Sequence, residues 1–242
     1  MTLARARVVI TGGTRGIGRA LAEALVQEGS EVLVCGRDDA ALAAVRRDLG
    51  VRALRCDITD PADVARLADV VRAELCGVDL LINNAGRQVD HDVVTGLDMS
   101  AARDEVAVNL LAPIAVTAAL MPLLLASPDA AVVNVSSALA FAPAPRSPVY
   151  AASKAGLAAW THALRAQLEG TAVRVVDVVP PLVATDMTVG RHEGAVQPEA
   201  VAAAVVRGLT RRRTRVVVGK ARALAAIHRV SPALARRMMR DR

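Results

Sequence analysis

Two residue types that this chain otherwise avoids stand four positions apart. Tyr150 is its only tyrosine, and Lys154 is one of two lysines among 30 basic residues. Residues i and i+4 share a helix face, so a helix here sets a phenol beside an ammonium. The cation favours phenolate and pulls the tyrosine pKa from about 10 towards neutrality. Arginine would serve less well, because its fork is bulky and its charge diffuse, whereas lysine is a compact point charge. Such a pair passes a proton to or from an oxygen held against it. A surface helix with one solvated Tyr and one solvated Lys has the same signature, so the pair needs a reaction partner nearby.

The partner is signalled near the N-terminus. Ala6 to Ile10 is a short apolar run that reads as a buried strand. It leads into Thr11-Gly12-Gly13-Thr14-Arg15-Gly16-Ile17-Gly18. Apolar residues at helical spacing follow from Arg19 to Glu28, closed by Gly29. Strand, glycine turn and helix together make a dinucleotide site: the glycines let backbone pass close to a pyrophosphate, and the helix N-terminus offers free N–H groups. In an NAD-preferring site the second strand ends in an acid that accepts the ribose 2′-hydroxyl. Here Glu31 to Cys35 is followed by Gly36-Arg37, and Arg15 lies inside the glycine loop. Two guanidiniums and no carboxylate suit a 2′-phosphate, so NADP(H) is the expected cofactor. NAD(H) is the alternative, with Asp38 or Asp39 as the ribose acid, although both read better as the start of a helix over Asp38 to Leu49.

The remaining chain repeats strand and helix. Strands are expected at Val51–Cys56, Val78–Ile82, Ala131–Val135 and Val173–Val179. Helices are expected from Pro61 to Leu75, through Asn109, and from Tyr150 to Leu168. This alternation implies right-handed crossovers and a parallel sheet, an α/β doubly wound Rossmann-type domain over residues 1–242. The candidate residues gather at strand carboxyl ends, where open α/β sheets hold ligands. Hydrophobic residues make up 53% and aromatics only 1%, so the core must be Ala, Val and Leu. Scarce aromatics also argue against base stacking on nucleic acid.

Cys35, Cys56 and Cys76 show neither a disulfide framework nor metal-ligand spacing, and no signal peptide precedes the first strand, so a reduced cytoplasmic protein without a metal is expected. Val106 to Ala126 carries no charge and has the length of a bilayer span. Asn109, Pro113 and Pro122 argue instead for a helix buried in a core or interface.

The assembled motifs resemble the short-chain dehydrogenase/reductase family over about residues 5–190. The matching features are the glycine loop, Asp57, Asn83-Asn84-Ala85-Gly86, Asn109, Ser137 and Tyr150-x-x-x-Lys154. Ser137 stands 13 residues before Tyr150, the family spacing, with Ser136 one residue off that register. The resemblance implies an oxidoreductase that interconverts a carbonyl and an alcohol. Tyr150 would be the general acid or base, and Lys154 would lower its pKa and hold the nicotinamide ribose. Ser137 would bond the substrate oxygen, and Asn109 would anchor a proton-relaying water. It further implies cofactor contacts from Gly12, Thr14, Arg15, Gly16, Ile17, Gly18, Arg37, Asp57, Ile58, Asn83, Ala85, Gly86, Pro180, Val183 and Thr185. A homodimer through the helices from Ala101 and from Tyr150 is also implied. Two features depart from the family: Pro180-Pro181 replaces the usual Pro-Gly after strand six, and Ala140 replaces a frequent Gly.

The C-terminal part resembles the subgroup typified by DltE. A helix from Gln197-Pro198-Glu199 to Arg211 precedes a last strand over Arg215 to Lys220, then helices over Ala221–Val230 and Pro232–Arg240. Residues 207–242 carry 12 Lys/Arg and one acid, a balance of +11, while residues 1–206 carry 18 basic and 23 acidic residues, a balance of −5. This basic segment is expected to cover a sheet edge or the site mouth, with contact to an anionic surface as the sharper alternative. The substrate pocket is expected from Arg87–Asp98, Ala138–Val149 and Met187–Val196, with His91 and His192 as ordinary loop histidines and His162 and His228 as structural ones. A nucleotide-sensing binding protein on the same fold is the alternative function; it would not need the Ser137, Tyr150, Lys154 and Asn109 set.

Overall fold

The computed structural model describes residues 1–190 and 193–240. Seven strands form one sheet: β1 Arg7–Thr11, β2 Glu31–Gly36, β3 Arg52–Arg55, β4 Leu80–Asn83, β5 Ala130–Val135, β6 Val173–Val179 and β7 Arg215–Val217. Their spatial order is β3-β2-β1-β4-β5-β6-β7, and every pairing is parallel. The chain winds outward from β1 in both directions, so β1 and β4 flank the topological switch point. The crevice beyond their carboxyl ends is where such sheets take ligands.

Helices cover both faces: α1 Gly16–Gln27, α2 Asp39–Leu49, α3 Pro61–Val70, α4 Met99–Val106, α5 Ala112–Leu125, α6 Pro148–Gln167, α7 Pro198–Thr210, α8 Ala221–Val230 and α9 Pro232–Met238. The strands are apolar on both sides because both faces are buried. Val8 and Ile10 pack with α1 and α7, while Val9 between them joins the opposite layer with α3 and α5. Successive residues of a strand point to opposite faces, so this short valine-rich run serves both halves of the core.

Several boundaries differ from the sequence reading for local physical reasons. The first helix starts at Gly16, three residues earlier than Arg19, so the last three residues of the glycine loop are helix N-terminus. Helix α3 does not continue regularly to Leu75 but widens into a π-helical turn over Val71–Leu75. The last strand stops at Val217 rather than Lys220, because Gly219 turns with φ +52°. Met99–Leu125 forms a helix long and apolar enough to cross a bilayer by length and composition. Here Ala112, Val116, Leu120 and Leu124 on it are buried against the sheet layer, and α4 and α5 are joined by a π-helical turn over Ala107–Leu111.

Asp79, just before β4, ties the start of the sheet together. Its Oδ2 accepts from the Arg7 backbone N–H and Nε, both at 2.9 Å. Its Oδ1 accepts from Arg7 Nη2 at 2.6 Å and Ser127 Oγ at 2.7 Å. Burial pushes this carboxyl up, but the Arg7 and Ser127 bonds outweigh it and hold it down at about 2. A carboxylate depressed in the folded state stabilises above its unfolded pKa near 4, and that stabilisation is lost as pH falls through 2. Asp79→Asn should therefore cost about 1–2 kcal/mol at pH 7 in urea unfolding. The difference from the parent should close between pH 4 and pH 2; a gap independent of pH would show that the carboxylate charge is not what matters.

Candidate active site

The three segments singled out for nucleotide binding meet at the switch point. Gly12 has φ +64°, and a Cβ there would lie 2.9 Å from the Ala85 Cα. Gly16 has φ +53° and lies against Thr185, whose Cγ2 would be 3.0 Å from a Cβ. A Cβ on Gly18 would strike the Gly12 carbonyl oxygen and the Asn84 side-chain amide. The Asn84 Nδ2 donates to the carbonyls of Thr11 and Gly12, both at 3.0 Å. Thr11 Oγ1 accepts from the backbone N–H groups of Asn84 and Ala85, both at 3.1 Å. Gly12 and Gly18 thus omit side chains where backbone passes close to backbone, and Gly16 where it passes the Thr185 side chain, leaving the α1 N-terminus open, the kind of place that accepts a phosphate. Thr14, Arg15, Gly16, Thr185 and Asp186 line a cleft of about 380 Å³ there.

The end of β2 and the glycine loop each present an arginine beside an acid. Arg37 Nη1 is 3.6 Å from Asp57 Oδ2, and both side chains are partly exposed. Arg15 Nη1 is 3.8 Å from Asp186 Oδ2. Asp38 caps α2 by accepting the Ala41 N–H at 3.0 Å, and Asp39 faces Arg55 at 3.5 Å. Both acids are thereby committed elsewhere. Burial pushes the Asp57 carboxyl up, while the Thr59 hydroxyl and N–H and the Arg37 charge pull it lower on balance. Ile58 and Val183 turn their side chains into the two core layers. Asn83 is buried too, donating to Thr117 Oγ1 at 3.0 Å and Asn134 Oδ1 at 2.8 Å. These three residues leave only their backbone for a ligand in the cleft.

Across the crevice, Lys154 is 3% exposed, and its Nζ donates to the Val135 carbonyl at 2.8 Å. The Nζ lies 5.8 Å from the centre of the Tyr150 ring. Burial pulls the ammonium down to about 8, and only Glu105 pushes the other way. Ser137, 8% exposed, caps the turn Ala138–Ala140, with Oγ accepting from the Leu139 N–H at 3.1 Å. The neighbouring Ser136 points elsewhere, its Oγ donating to Asp177 Oδ1 at 2.6 Å.

Asn109 sits in the π-helical turn, a feature frequent at functional sites. Its Nδ2 donates to the Arg87 carbonyl at 2.8 Å and to Ser153 Oγ at 3.1 Å, and its Oδ1 accepts the Arg87 N–H at 2.9 Å. Ser153 Oγ in turn donates to the Tyr150 carbonyl at 2.8 Å. Gly86 packs against both Asn109 and Lys154. One buried amide thus joins the loop after β4 to the turn that carries the tyrosine.

The sequence reading missed what anchors the rest of that loop. Glu105 is fully buried; its Oε1 accepts the Val89 N–H at 3.2 Å, and its Oε2 lies 2.9 Å from His91 Nε2. Ser147 Oγ donates to Asp90 Oδ1 at 3.1 Å and accepts from Gln88 Nε2 at 2.7 Å. His91 is a buried partner of Glu105 rather than a solvated loop residue. The signal available was a carboxylate one turn before Asn109, at the edge of an apolar run. His162 is exposed, 3.3 Å from Arg165 Nη1, and His228 stacks on Phe141 with ring centres 5.3 Å apart. His192 lies outside the described residues. The post-β6 turn joins the site as well: the Pro180 carbonyl accepts the Ala138 N–H at 3.2 Å, and Pro181 packs on Gly219. Val94, Met187 and Val189 are exposed apolar residues on the two loops at the mouth. Among the described residues no cluster of His, Cys, Asp and Glu is arranged to hold a metal.

Comparison with known proteins agrees with this geometry. A family model described as short chain dehydrogenase matches residues 6–195. The uncharacterized oxidoreductase DltE of Bacillus subtilis is 38% identical over 189 residues, covering 77% of this chain and 75% of its own. A short chain dehydrogenase from Burkholderia cenocepacia, solved in complex with NADP, superposes with a TM-score of 0.88 at 29% identity, covering 99% of both chains. A short chain dehydrogenase/reductase from Burkholderia phymatum, solved with NAD, has the same fold at 23% identity and a TM-score of 0.88, covering 95% of this chain and 93% of its own.

Glu105→Ala would leave the buried His91 and the part-buried Val89 N–H without their partner. The expected cost is about 2–4 kcal/mol, as two unmet polar groups. Hydrogen exchange should rise across Arg87–Asp98, as read by mass spectrometry of peptides. Unchanged exchange there would mean that Glu105 does not hold the loop.

Proposed function

Because the chain belongs to the short-chain dehydrogenase family and is an oxidoreductase, we propose that it interconverts a carbonyl and an alcohol using NADP(H), with Tyr150 as proton donor and acceptor. The observation that carries this reading is the buried Lys154 ammonium beside the Tyr150 ring, facing the glycine cradle through Gly86. The residues present fit a dinucleotide. Gly12, Gly16 and Gly18 leave room that a Cβ would fill, and the α1 N-terminus offers donors to its phosphates. Bound there, the nicotinamide supplies or accepts the hydride.

The protein's own groups handle the oxygen. Ser137 Oγ has its acceptor side engaged by Leu139 N–H, so its proton is available for a substrate carbonyl. Tyr150 gives its phenolic proton to that oxygen as it gains negative charge, and Lys154 stabilises the phenolate left behind. Asn109 is a positioning residue: it fixes Arg87 and, through Ser153, the Tyr150 turn. Such placed proton transfer contributes roughly 10²–10⁴-fold. Tyr150→Phe should lose that factor in kcat on a carbonyl panel while NADPH binding, followed by cofactor fluorescence, persists. Equal turnover in the variant would overturn the assignment, and a parent protein that binds NADPH without turnover would point to a nucleotide sensor.

Arg37 and Arg15 around Gly36 support NADP(H). A Cβ at Gly36 would meet Thr14 Cγ2 at 3.3 Å, Thr14 Oγ1 at 3.7 Å and Leu42 Cδ2 at 3.9 Å, side-chain atoms alone, of which the Thr14 methyl must give slightly. Gly36→Asp combined with Arg37→Ala should lower the NADPH-over-NADH ratio of kcat/KM by about 10², two charge-assisted bonds being lost. A ratio that does not move would favour NAD(H) or a different phosphate contact. Leu111 and Leu125 expose apolar surface on the outer side of the α4–α5 helix, which supports a homodimer through this face. The three cysteines carry no disulfide, which supports a cytoplasmic location.

A further inference from the structure

The arginines of this protein fall into two groups. Many in the body are paired with acids: Arg7 with Asp79 at 2.6 Å, Arg19 with Asp48 at 2.9 Å and Arg72 with Asp69 at 2.8 Å. Arg212 and Arg215 still find Asp129 and Asp177, but the arginines of the last two helices differ. No acid occurs between Ala221 and Arg240. Among the described residues, Arg236, Arg237 and Arg240 have no acidic group within ion-pair distance. Yet α8 and α9 are held to the protein, with Ala221 and Ala235 fully buried and Ser231 Oγ capping α9 by accepting the Leu234 N–H at 3.3 Å.

These three arginines converge on one place. With Ala233 they form one wall of a cleft of about 290 Å³ whose other wall is Pro143 and Pro145. Arg236 and Arg237 lie on α9, and Arg240 lies in the turn that follows it. Proline has no N–H to offer, so the donors available from these side walls are guanidinium groups. All three are exposed, so their mutual repulsion is modest, and an anion in the cleft would be met by all three. A phosphate monoester, with charge near −1.5 to −2 and three acceptor oxygens, matches several arginine forks better than a single carboxylate does.

The proline wall also places the cleft. It belongs to the segment that leaves Ser137 and returns at Tyr150, and Pro145 and Tyr150 are five residues apart. Their Cα atoms therefore lie at most about 18 Å apart. We propose that the cleft between α9 and the Ser137–Tyr150 segment is a phosphate subsite, holding the phosphate end of a carbonyl substrate whose oxygen is taken by Ser137 and Tyr150. This rests on the reductase reading above for the carbonyl, but not for the anion.

The test keeps the two apart. Binding of inorganic phosphate is followed by ³¹P line broadening on the full chain saturated with NADPH, so that the cofactor cleft is filled. Broadening should occur with the parent protein and vanish in Arg236→Glu/Arg237→Glu/Arg240→Glu. It should persist in Arg211→Glu/Arg213→Glu, which changes charge in the same segment away from the cleft. Phosphorylated aldehydes of three to ten carbons are then compared with their unphosphorylated counterparts. The kcat/KM preference for the phosphorylated member should fall at least tenfold in the cleft variant, with the unphosphorylated rates unchanged. No broadening with the parent, or equal broadening in the cleft variant, overturns the subsite. Broadening lost in the cleft variant while the parent reduces no aldehyde supports the anion cleft and overturns the reductase reading instead. If the parent ignores free phosphate but sediments with phosphatidylglycerol vesicles, and the cleft variant does not, the anion is a lipid headgroup and the substrate assignment is overturned.

Discussion

The site depends on one buried cation. Lys154 has left water for a place where its one resolved hydrogen bond is to the Val135 carbonyl, at the carboxyl end of β5. An ammonium in such surroundings loses hydration that a single carbonyl replaces only in part, which is why burial pulls it down to about 8. The same bond locks the first turns of α6 onto the end of the sheet. It thereby holds Tyr150, one turn earlier, with its ring centre 5.8 Å from the Lys154 Nζ. A lysine left in solvent would neither orient that helix nor keep a concentrated charge beside the phenol.

Around this cation the protein uses short polar side chains as struts between loops that have little regular structure. Asn109 grips both the N–H and the carbonyl of Arg87, Glu105 holds Val89 and His91, and Ser147 holds Gln88 and Asp90. The loop after β4 is therefore tied at successive residues to α4, to the π-helical turn and to the start of α6. Buried polar groups of this kind are costly when unpaired and specific when satisfied. Precise placement of a loop that carries no strand or helix of its own follows from them. The glycine cradle works by the opposite means, bringing backbones together by omitting side chains.

The basic segment at the end of the chain takes on meaning from its position. In sequence it is an excess of arginine with an apolar stripe. In the fold, one side of α9 closes on the prolines that precede Tyr150, while Val230, Leu234 and Met238 remain exposed. Charge that could have been a dispersed solubilising surface is gathered beside the segment that bears the tyrosine.

Much of this was legible in the chain itself. The strand–glycine–helix start, the missing acid at Gly36 and the Tyr150–Lys154 spacing are local features governed by backbone sterics and helix periodicity, and these act over a few residues. They were enough to anticipate a parallel doubly wound sheet, and to single out the glycine loop, Tyr150 and Lys154, which the fold gathers at its strand carboxyl ends. The outward winding of the sheet from β1, the burial of Lys154, the commitment of Ser136 to Asp177 and the Glu105–His91 pair needed the tertiary structure. Each is a contact between residues far apart in sequence, or a matter of which face a side chain takes. A buried carboxylate and a solvated one are the same letter, and only packing, by removing water from one of them, makes the difference.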